Sequence, residues 1–168
     1  MRPGLAIAGL SLLAAGCAST SDMPSGVVAS TAAVAAPTPI EGRDWHLSQY
    51  AGESSLAYGV AESDDVSIAF GCADGSGRVF LFRDVPDSAP REFHLESGGD
   101  TARFTADSEP SMLTDGQILS AEAEAGEAVF HRFRSVGWLA VWTGDEREAY
   151  APQPGSEANA ERFFAACG

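Results

Sequence analysis

The chain contains no lysine, and all ten of its basic residues are arginine. A Walker A phosphate-binding loop, a lysine Schiff base and a serine–lysine catalytic pair each require a lysine, so none of them can be built from this sequence. The motifs His-Glu-x-x-His, Cys-x-x-Cys and Gly-x-Ser-x-Gly are also missing. The sequence therefore lacks the usual signatures of zinc proteases, thioredoxin-like proteins and α/β-hydrolases.

Positive charge is scarce as well. The chain has 24 acidic residues against 10 basic ones, which gives a formal net charge of -14 at pH 7. Such a surface repels phosphate backbones and anionic lipid head groups, so nucleic acid is excluded as an expected partner. Acidity of this kind is more typical of a solubility feature than of a docking patch.

Only one apolar run is long enough to suggest contact with a membrane. Residues 5–15 form it, after a single positive charge at Arg2 and before a group of small residues. This layout is typical of a signal peptide. The run is well short of the roughly 20 residues that a helix needs to cross a bilayer, which disfavours a permanent membrane span.

The end of the run, Leu13-Ala14-Ala15-Gly16-Cys17, resembles the lipobox of bacterial lipoproteins, although Ala14 stands where that family most often has leucine. The resemblance implies that residues 1–16 are removed and that Cys17 begins the mature chain, carrying diacylglycerol and an acyl group such as palmitate on its amine. Ala18, in place of aspartate, implies sorting to the outer membrane, facing the periplasm. The alternative is an ordinary secretory signal with Cys17 unmodified.

The chain has only three cysteines. If Cys17 is lipidated, Cys72 and Cys167 remain, and an even pair in an oxidising compartment predicts a disulfide. The alternative is two separate buried thiols. A metal site is disfavoured because the cysteines and the three histidines show no ligand spacing, and we predict no cofactor.

Residues 17–42 are rich in alanine, serine, threonine and proline without apolar periodicity, which predicts a lipidated flexible tether. Residues 43–168 change to short alternating segments separated by turn residues. This pattern predicts one mainly β domain, an antiparallel sandwich or barrel of about eight strands. A short helix over residues 127–136 and a C-terminal helix docked by the disulfide complete the prediction.

Three details of this prediction can be compared directly with the structure. In the third strand, Val66, Ile68, Phe70 and Cys72 are predicted to share the inward face. Ile118 and Ser120 are predicted to point inward from a later strand. Ser156 is predicted to cap the final helix, whose apolar stripe contains Ala160, Phe163, Phe164 and Cys167.

Several residues are candidates for a functional site. The turn Asp74-Gly75-Ser76-Gly77 resembles part of a calcium loop, but it lacks the further acids of such a loop and is better explained as a hairpin turn. His46, His94 and His131 could supply a general base, although polar strand positions explain His46 and His94 more simply. Three tryptophans could line a pocket, and core packing is the favoured role for them: Trp45, Trp138 and Trp142. The acidic groups Asp64-Asp65 and Asp145-Glu146-Glu148 are interpreted as solvated loop charges.

Two further segments, Leu56-Ala57-Tyr58-Gly59-Val60 and Arg162-Phe163-Phe164-Ala165-Ala166-Cys167, resemble small lipoproteins and periplasmic proteins of alphaproteobacteria. That resemblance implies no activity. The favoured hypothesis is a non-enzymatic lipoprotein that binds an envelope protein or assists envelope assembly. One alternative is an inhibitor of a basic envelope hydrolase such as lysozyme, and another is an envelope hydrolase that uses His94 or His131.

Overall fold

The computed structural model describes residues 35–168, so the signal peptide, Cys17 and the first part of the predicted tether lie outside the described residues. Residues 35–43 contain no helix or strand. The carbonyl of Ile40 accepts a hydrogen bond from the side-chain amide of Gln153 at 2.7 Å. The end of the predicted tether is thus fastened to the folded part of the chain.

The described residues form ten strands and two helices. In chain order these are β1 (Asp44–Tyr50), β2 (Glu53–Gly59), β3 (Val66–Ala73), β4 (Arg78–Val85), β5 (Glu92–Ser97), β6 (Asp100–Thr105), β7 (Asp107–Pro110), β8 (Gln117–Glu124), α1 (Ala128–Val136), β9 (Leu139–Thr143), β10 (Glu146–Tyr150) and α2 (Asn159–Cys167).

The strands build two antiparallel sheets. The larger sheet has the order β1-β2-β3-β4-β8-β7, and the smaller sheet has the order β10-β9-β5-β6. The predicted mainly β, antiparallel sandwich is confirmed, with ten strands in place of about eight. The strand β7 was missed because its sequence, Asp-Ser-Glu-Pro, has no apolar alternation; its proline is tolerated because β7 is an edge strand.

The core lies between the inner faces of the two sheets and is completed by both helices. Its aromatic side chains come from sheet and helix alike: the ring centroids of Trp45 and Phe133 are 4.9 Å apart, and those of Phe130 and Phe164 are 5.0 Å apart. All four side chains are almost completely buried. Because the helices contribute so many core rings, they are part of the hydrophobic core rather than additions to its surface.

The disulfide between Cys72 of β3 and Cys167 of α2 is confirmed, and it joins positions 95 residues apart. The helix α1 begins one residue after the predicted start and ends, as predicted, at Val136. Gly137 follows it as the C-cap, and its φ of 77° is the left-handed conformation that glycine favours. Ser156, however, does not cap α2, which begins after Ala158 with no side-chain cap. The Ser156 hydroxyl instead donates to the carboxylate of Asp44.

Ile68, Phe70 and Cys72 share the buried face of β3 as predicted, but the predicted inward positions of three other residues were wrong. Val66 is 38% exposed, because a register shift between Tyr58 and Gly59 interrupts the alternation of β3 before Ile68. In β8 the inward residues include Leu119 and Ala123, while the predicted pair Ile118 and Ser120 faces outward. The pairing of β8 with β4 sets this parity, and a shift of one residue exchanges the two faces.

Candidate functional site

Most of the large apolar side chains that stay exposed within residues 35–168 lie on the outer face of the larger sheet or on the loops beside it. They are Tyr50, Val60, Val66, Phe80, Phe82, Met112 and Leu113. Contiguous exposed apolar surface on a soluble protein is typical of an interaction site. This face is therefore the first candidate for a functional surface.

The depression in this face follows from side-chain size along the paired strands. Ser48 of β1 lies opposite Ser55 of β2, Ser55 opposite Gly71 of β3, and Gly71 opposite Phe80 of β4. Three small residues in adjacent strands are thus followed by a large ring. Because side chains stand roughly perpendicular to a sheet, small residues leave a hollow where large ones would fill the space.

We call this hollow the trough. Its floor is Ser48, Ser55 and Gly71, and its walls are Tyr50 on one side and Phe80 and Phe82 on the other. It is an open depression with a volume of about 510 Å³. A β-carbon added at Gly71 would meet no atom within 4 Å, so the glycine leaves open space above the middle of the sheet.

A second apolar hollow of about 320 Å³ continues beyond Phe82, over Ala69 and Ile118. Leu113, which is 70% exposed, forms part of its lining. The outward Ile118 therefore contributes to the same surface as the trough, which gives a role to the residue whose predicted face was wrong.

The loop that carries Leu113 is held by its own hydrogen bonds. The hydroxyl of Ser111 and that of Thr114 donate to the two oxygens of the Asp84 carboxylate, the latter at 2.7 Å. The amides of Leu113 and Thr114 both donate to the Ser111 hydroxyl at 3.2 Å. These bonds tie the loop to β4 and to itself, which lowers the cost of ordering its apolar tip when a partner binds.

Acidic groups surround the trough. Arg78 donates to Glu122 at 2.6 Å and to Glu124 at 2.8 Å, so one positive charge is shared between two carboxylates. Glu53 stands in the row of Tyr50 on β1 and adds another exposed carboxylate to the lining. The rim of the trough is therefore negative, in keeping with the net charge of the chain.

The three histidines lie on separate elements. His46 is on the outer face of β1, with Nε2 3.2 Å from the carbonyl oxygen of Gly59. His94 is on the outer face of β5 in the other sheet, and His131 is exposed on α1. Because His46 and His94 are on outer faces of opposite sheets, the structure does not bring the three predicted candidates for a general base together.

His94 does meet Trp142, but in a cluster organised around a carboxylate. Glu96 accepts hydrogen bonds from Trp142 Nε1 at 2.9 Å and from Arg147 at 2.8 and 3.0 Å. Mainly through the bonds from Arg147, the pKa of Glu96 is lowered from its usual value. The carboxylate is therefore held ionised and fully engaged, as in a structural ion pair.

The tryptophans have three different surroundings. Trp45 lies in the main core, as predicted, and Trp138 is buried in a small separate cluster with Ala140 and Ala151. Trp142 is only partly buried, so the core role favoured for it is not what the structure shows. The guanidinium of Arg147 lies 5.7 Å from the ring centre of Trp138 and 6.0 Å from that of Trp142, which are cation–π distances.

The turn over residues 74–77 has a structural role that the sequence did not reveal. The amides of Gly75 and Gly77 donate, each at 2.7 Å, to the carbonyls of Ala166 and Cys167 at the end of α2. The Asp74 carboxylate accepts a hydrogen bond from Ser54 at 2.7 Å. The turn thus supplies hydrogen-bond donors to carbonyl groups at the C-terminus of α2. Within residues 35–168, no cluster of three or more histidine, cysteine or acidic side chains is placed to hold a metal ion.

A polar network between the two sheets was also missed. Arg83 of β4, 12% exposed, donates to Thr143 at 2.7 Å and to Glu148 at 2.6 Å. The hydroxyl of Tyr150 joins it by donating to Glu148 at 2.7 Å, and burial raises the pKa of Tyr150 well above its usual value. Glu148 is therefore more than the solvated charge that was predicted, because it helps to tie the sheets together. Asp65 is also engaged, since its carboxylate accepts hydrogen bonds from Arg43, whereas Asp64, Asp145 and Glu146 are exposed as expected.

The described elements thus define a two-sheet antiparallel sandwich that presents an acidic-rimmed apolar trough on one outer face. None of its helices, over residues 35–168, has the length and apolar character needed to cross a membrane. Comparison of the chain with protein-family models, with curated proteins and with solved structures finds no match.

Proposed function

We propose that this protein is a non-enzymatic lipoprotein of the bacterial envelope that binds a partner protein through the trough. The observation that carries the proposal is the exposed apolar surface built around Phe80 and Phe82 in a chain of net charge -14. An apolar surface on a highly charged domain costs solubility. Its presence, together with a hydrogen-bonded loop beside it, favours a binding role.

The anchor in this proposal is Cys17, and the location is the outer membrane, facing the periplasm. The lipobox-like residues before Cys17 and the alanine after it support this assignment. The Cys72–Cys167 disulfide supports an oxidising compartment, since structural disulfides persist mainly outside the cytoplasm. Two or three acyl chains, each methylene contributing about 0.8 kcal/mol, would hold the domain at the bilayer.

The anchor is tested by metabolic labelling with a fatty acid. Wild-type protein is expected to incorporate the label and Cys17→Ala is expected not to. Equal labelling of both, or of neither, would remove the membrane part of the proposal. Fractionation of inner and outer membranes then tests the role assigned to Ala18.

The binding face is tested by crosslinking in whole cells. A photo-reactive amino acid is placed at Phe82, in the wall of the trough, and at Val136 on α1 as the control; these side chains are 43% and 37% exposed. A discrete protein adduct is expected from position 82, and none from position 136. Adducts that are equal at both positions would show that the trough has no special role.

The negative rim favours one narrower candidate, a partner that is itself a basic envelope hydrolase. In that case the purified protein should inhibit lysozyme, and the inhibition should weaken steeply as salt is raised. Unchanged lysozyme activity at low salt would remove this candidate while leaving the general binding role intact.

A further inference from the structure

We infer that the trough binds an extended cationic polypeptide segment, an inference that rests on the proposed binding role. The segment places one aliphatic or aromatic side chain over Gly71 and its lysine or arginine side chains against the acidic rim. The partner is therefore a protein with an exposed strand or loop in which apolar residues alternate with basic ones. A second copy of this chain and the chain's own residues 18–34 are alternative occupants, and the peptide experiment distinguishes both of them from a cationic segment.

The width of the trough favours an extended segment. Its floor runs from Ser48 of β1 across β2 to Gly71 of β3, and its walls are Tyr50 at the end of β1 and the two rings of β4. At the usual strand spacing, β1 and β4 are about 14 Å apart. The rings of Tyr50, Phe80 and Phe82 line the trough on its two sides. A helix with its side chains is about 10 to 12 Å wide and would take up almost the whole distance between β1 and β4, whereas an extended chain leaves room for these rings and can point one side chain down.

The floor offers that side chain a specific place. Gly71 leaves space at the centre, with Phe80 opposite it in the neighbouring strand and Ser55 on the other side. The rings supply apolar contact, and the hydroxyls of Ser48 and Ser55 can meet peptide groups of a bound chain. A side chain seated here is flanked by a large ring, which is typical of an anchor position in a protein interface.

The rim selects the charge of the occupant. Glu53 has no basic partner among the described residues, and Arg78 is already engaged by both Glu122 and Glu124. The face thus keeps an excess of carboxylates and offers no free guanidinium to an anion. An acidic peptide or an anionic lipid head group would be repelled, while a cationic segment would be attracted at low salt.

The probe is a fluorescent decapeptide of alternating lysine and leucine, measured by anisotropy against the mature lipidated protein in phosphatidylcholine nanodiscs. Two comparison peptides replace every lysine by glutamate or every leucine by serine. The lysine–leucine peptide is expected to bind at least tenfold more tightly than either, and its affinity is expected to fall at least tenfold between low and high salt. Empty nanodiscs give the background.

The matched variants are Gly71→Leu and Gly126→Leu. Neither glycine has a positive φ, and a β-carbon at either would meet no atom within 4 Å, so both variants should fold. Gly71→Leu fills the trough and is expected to weaken peptide binding at least tenfold, whereas Gly126→Leu leaves it unchanged. Phe82→Ala, which removes one wall, provides a second variant if Gly71→Leu lowers the thermal midpoint.

Three outcomes would overturn the inference: no binding of the lysine–leucine peptide, equal binding of the glutamate–leucine peptide, or equal binding by the Gly71 and Gly126 variants. A second copy or residues 18–34 as the natural occupant would give the first of these. If crosslinking from position 82 still yields a partner adduct while the peptide does not bind, the proposed binding role stands and only the cationic segment is wrong.

Discussion

Removing the disulfide between Cys72 and Cys167 should destabilise the whole domain and not only the helix that it fastens. The bridge closes a loop of 95 positions. In the chain-entropy model, closing a loop of this length lowers the entropy of the unfolded chain, which raises the free energy of unfolding by about 4.7 kcal/mol. Domains are stable by only about 5 to 15 kcal/mol, so the reduced protein should lose about a third or more of its free energy of unfolding.

The measurement is urea unfolding of the mature protein with and without reductant, followed by far-ultraviolet circular dichroism. A loss of unfolding free energy of that size corresponds to a urea concentration at the unfolding midpoint that is lower by about 2 to 4 M. The double variant Cys72→Ala, Cys167→Ala should be at least as unstable as the reduced wild type, because it also loses two buried sulfur atoms. Reductant should have no effect on the double variant, which makes it the control.

Hydrogen exchange distinguishes two ways in which the bridge could act. If it stabilises by restricting the unfolded chain, reduction should speed exchange in the slowest amides of β3, β4 and β8 by a similar factor. If it only fastens α2, the amides of that helix alone should exchange faster. The second result, or a change in stability below 1 kcal/mol, would refute the loop-closure reasoning.

Two further predictions concern single side chains. Glu96→Gln should lower the free energy of unfolding at neutral pH. Arg147 lowers the pKa of Glu96, so this ion pair stabilises the fold fully above the ordinary glutamate pKa of 4.5. The difference in unfolding free energy between variant and wild type should vanish as the pH falls through the lowered pKa. Urea midpoints from pH 7 to 3 test this, and a constant difference would contradict it. Gly116→Ala should lower the free energy of unfolding by about 1 to 3 kcal/mol, because the added β-carbon would lie 2.2 Å from the carbonyl oxygen of Val85. Gly71→Ala, the control, should change the free energy of unfolding by less than about 0.5 kcal/mol. Equal effects of the two variants in thermal unfolding would contradict the geometry.

The trough could have been anticipated only in part. The alternation in β3 and β4 is visible in the sequence, and it places Gly71, Phe80 and Phe82 on faces opposite to Phe70 and Leu81. The sequence does not say that Gly71 stands beside Phe80, because that depends on strand register. Ile118 shows the same limit, since its hydrophobicity predicted an inward position that the pairing with β4 does not allow.

Composition and local pattern were enough to predict the properties that do not depend on contacts between distant segments. These include the acidic charge, the mainly β antiparallel class and the α1 stop at Gly137; the Cys72–Cys167 pair followed from the three cysteines once Cys17 was assigned to the lipid anchor. The folded arrangement was needed to show which side chains meet across strands. It revealed the trough, the engagement of Glu96 by Arg147 and Trp142, and the turn that completes α2. The reason is physical, because contacts between distant segments depend on register and sheet order, and neither leaves a periodic trace in the chain.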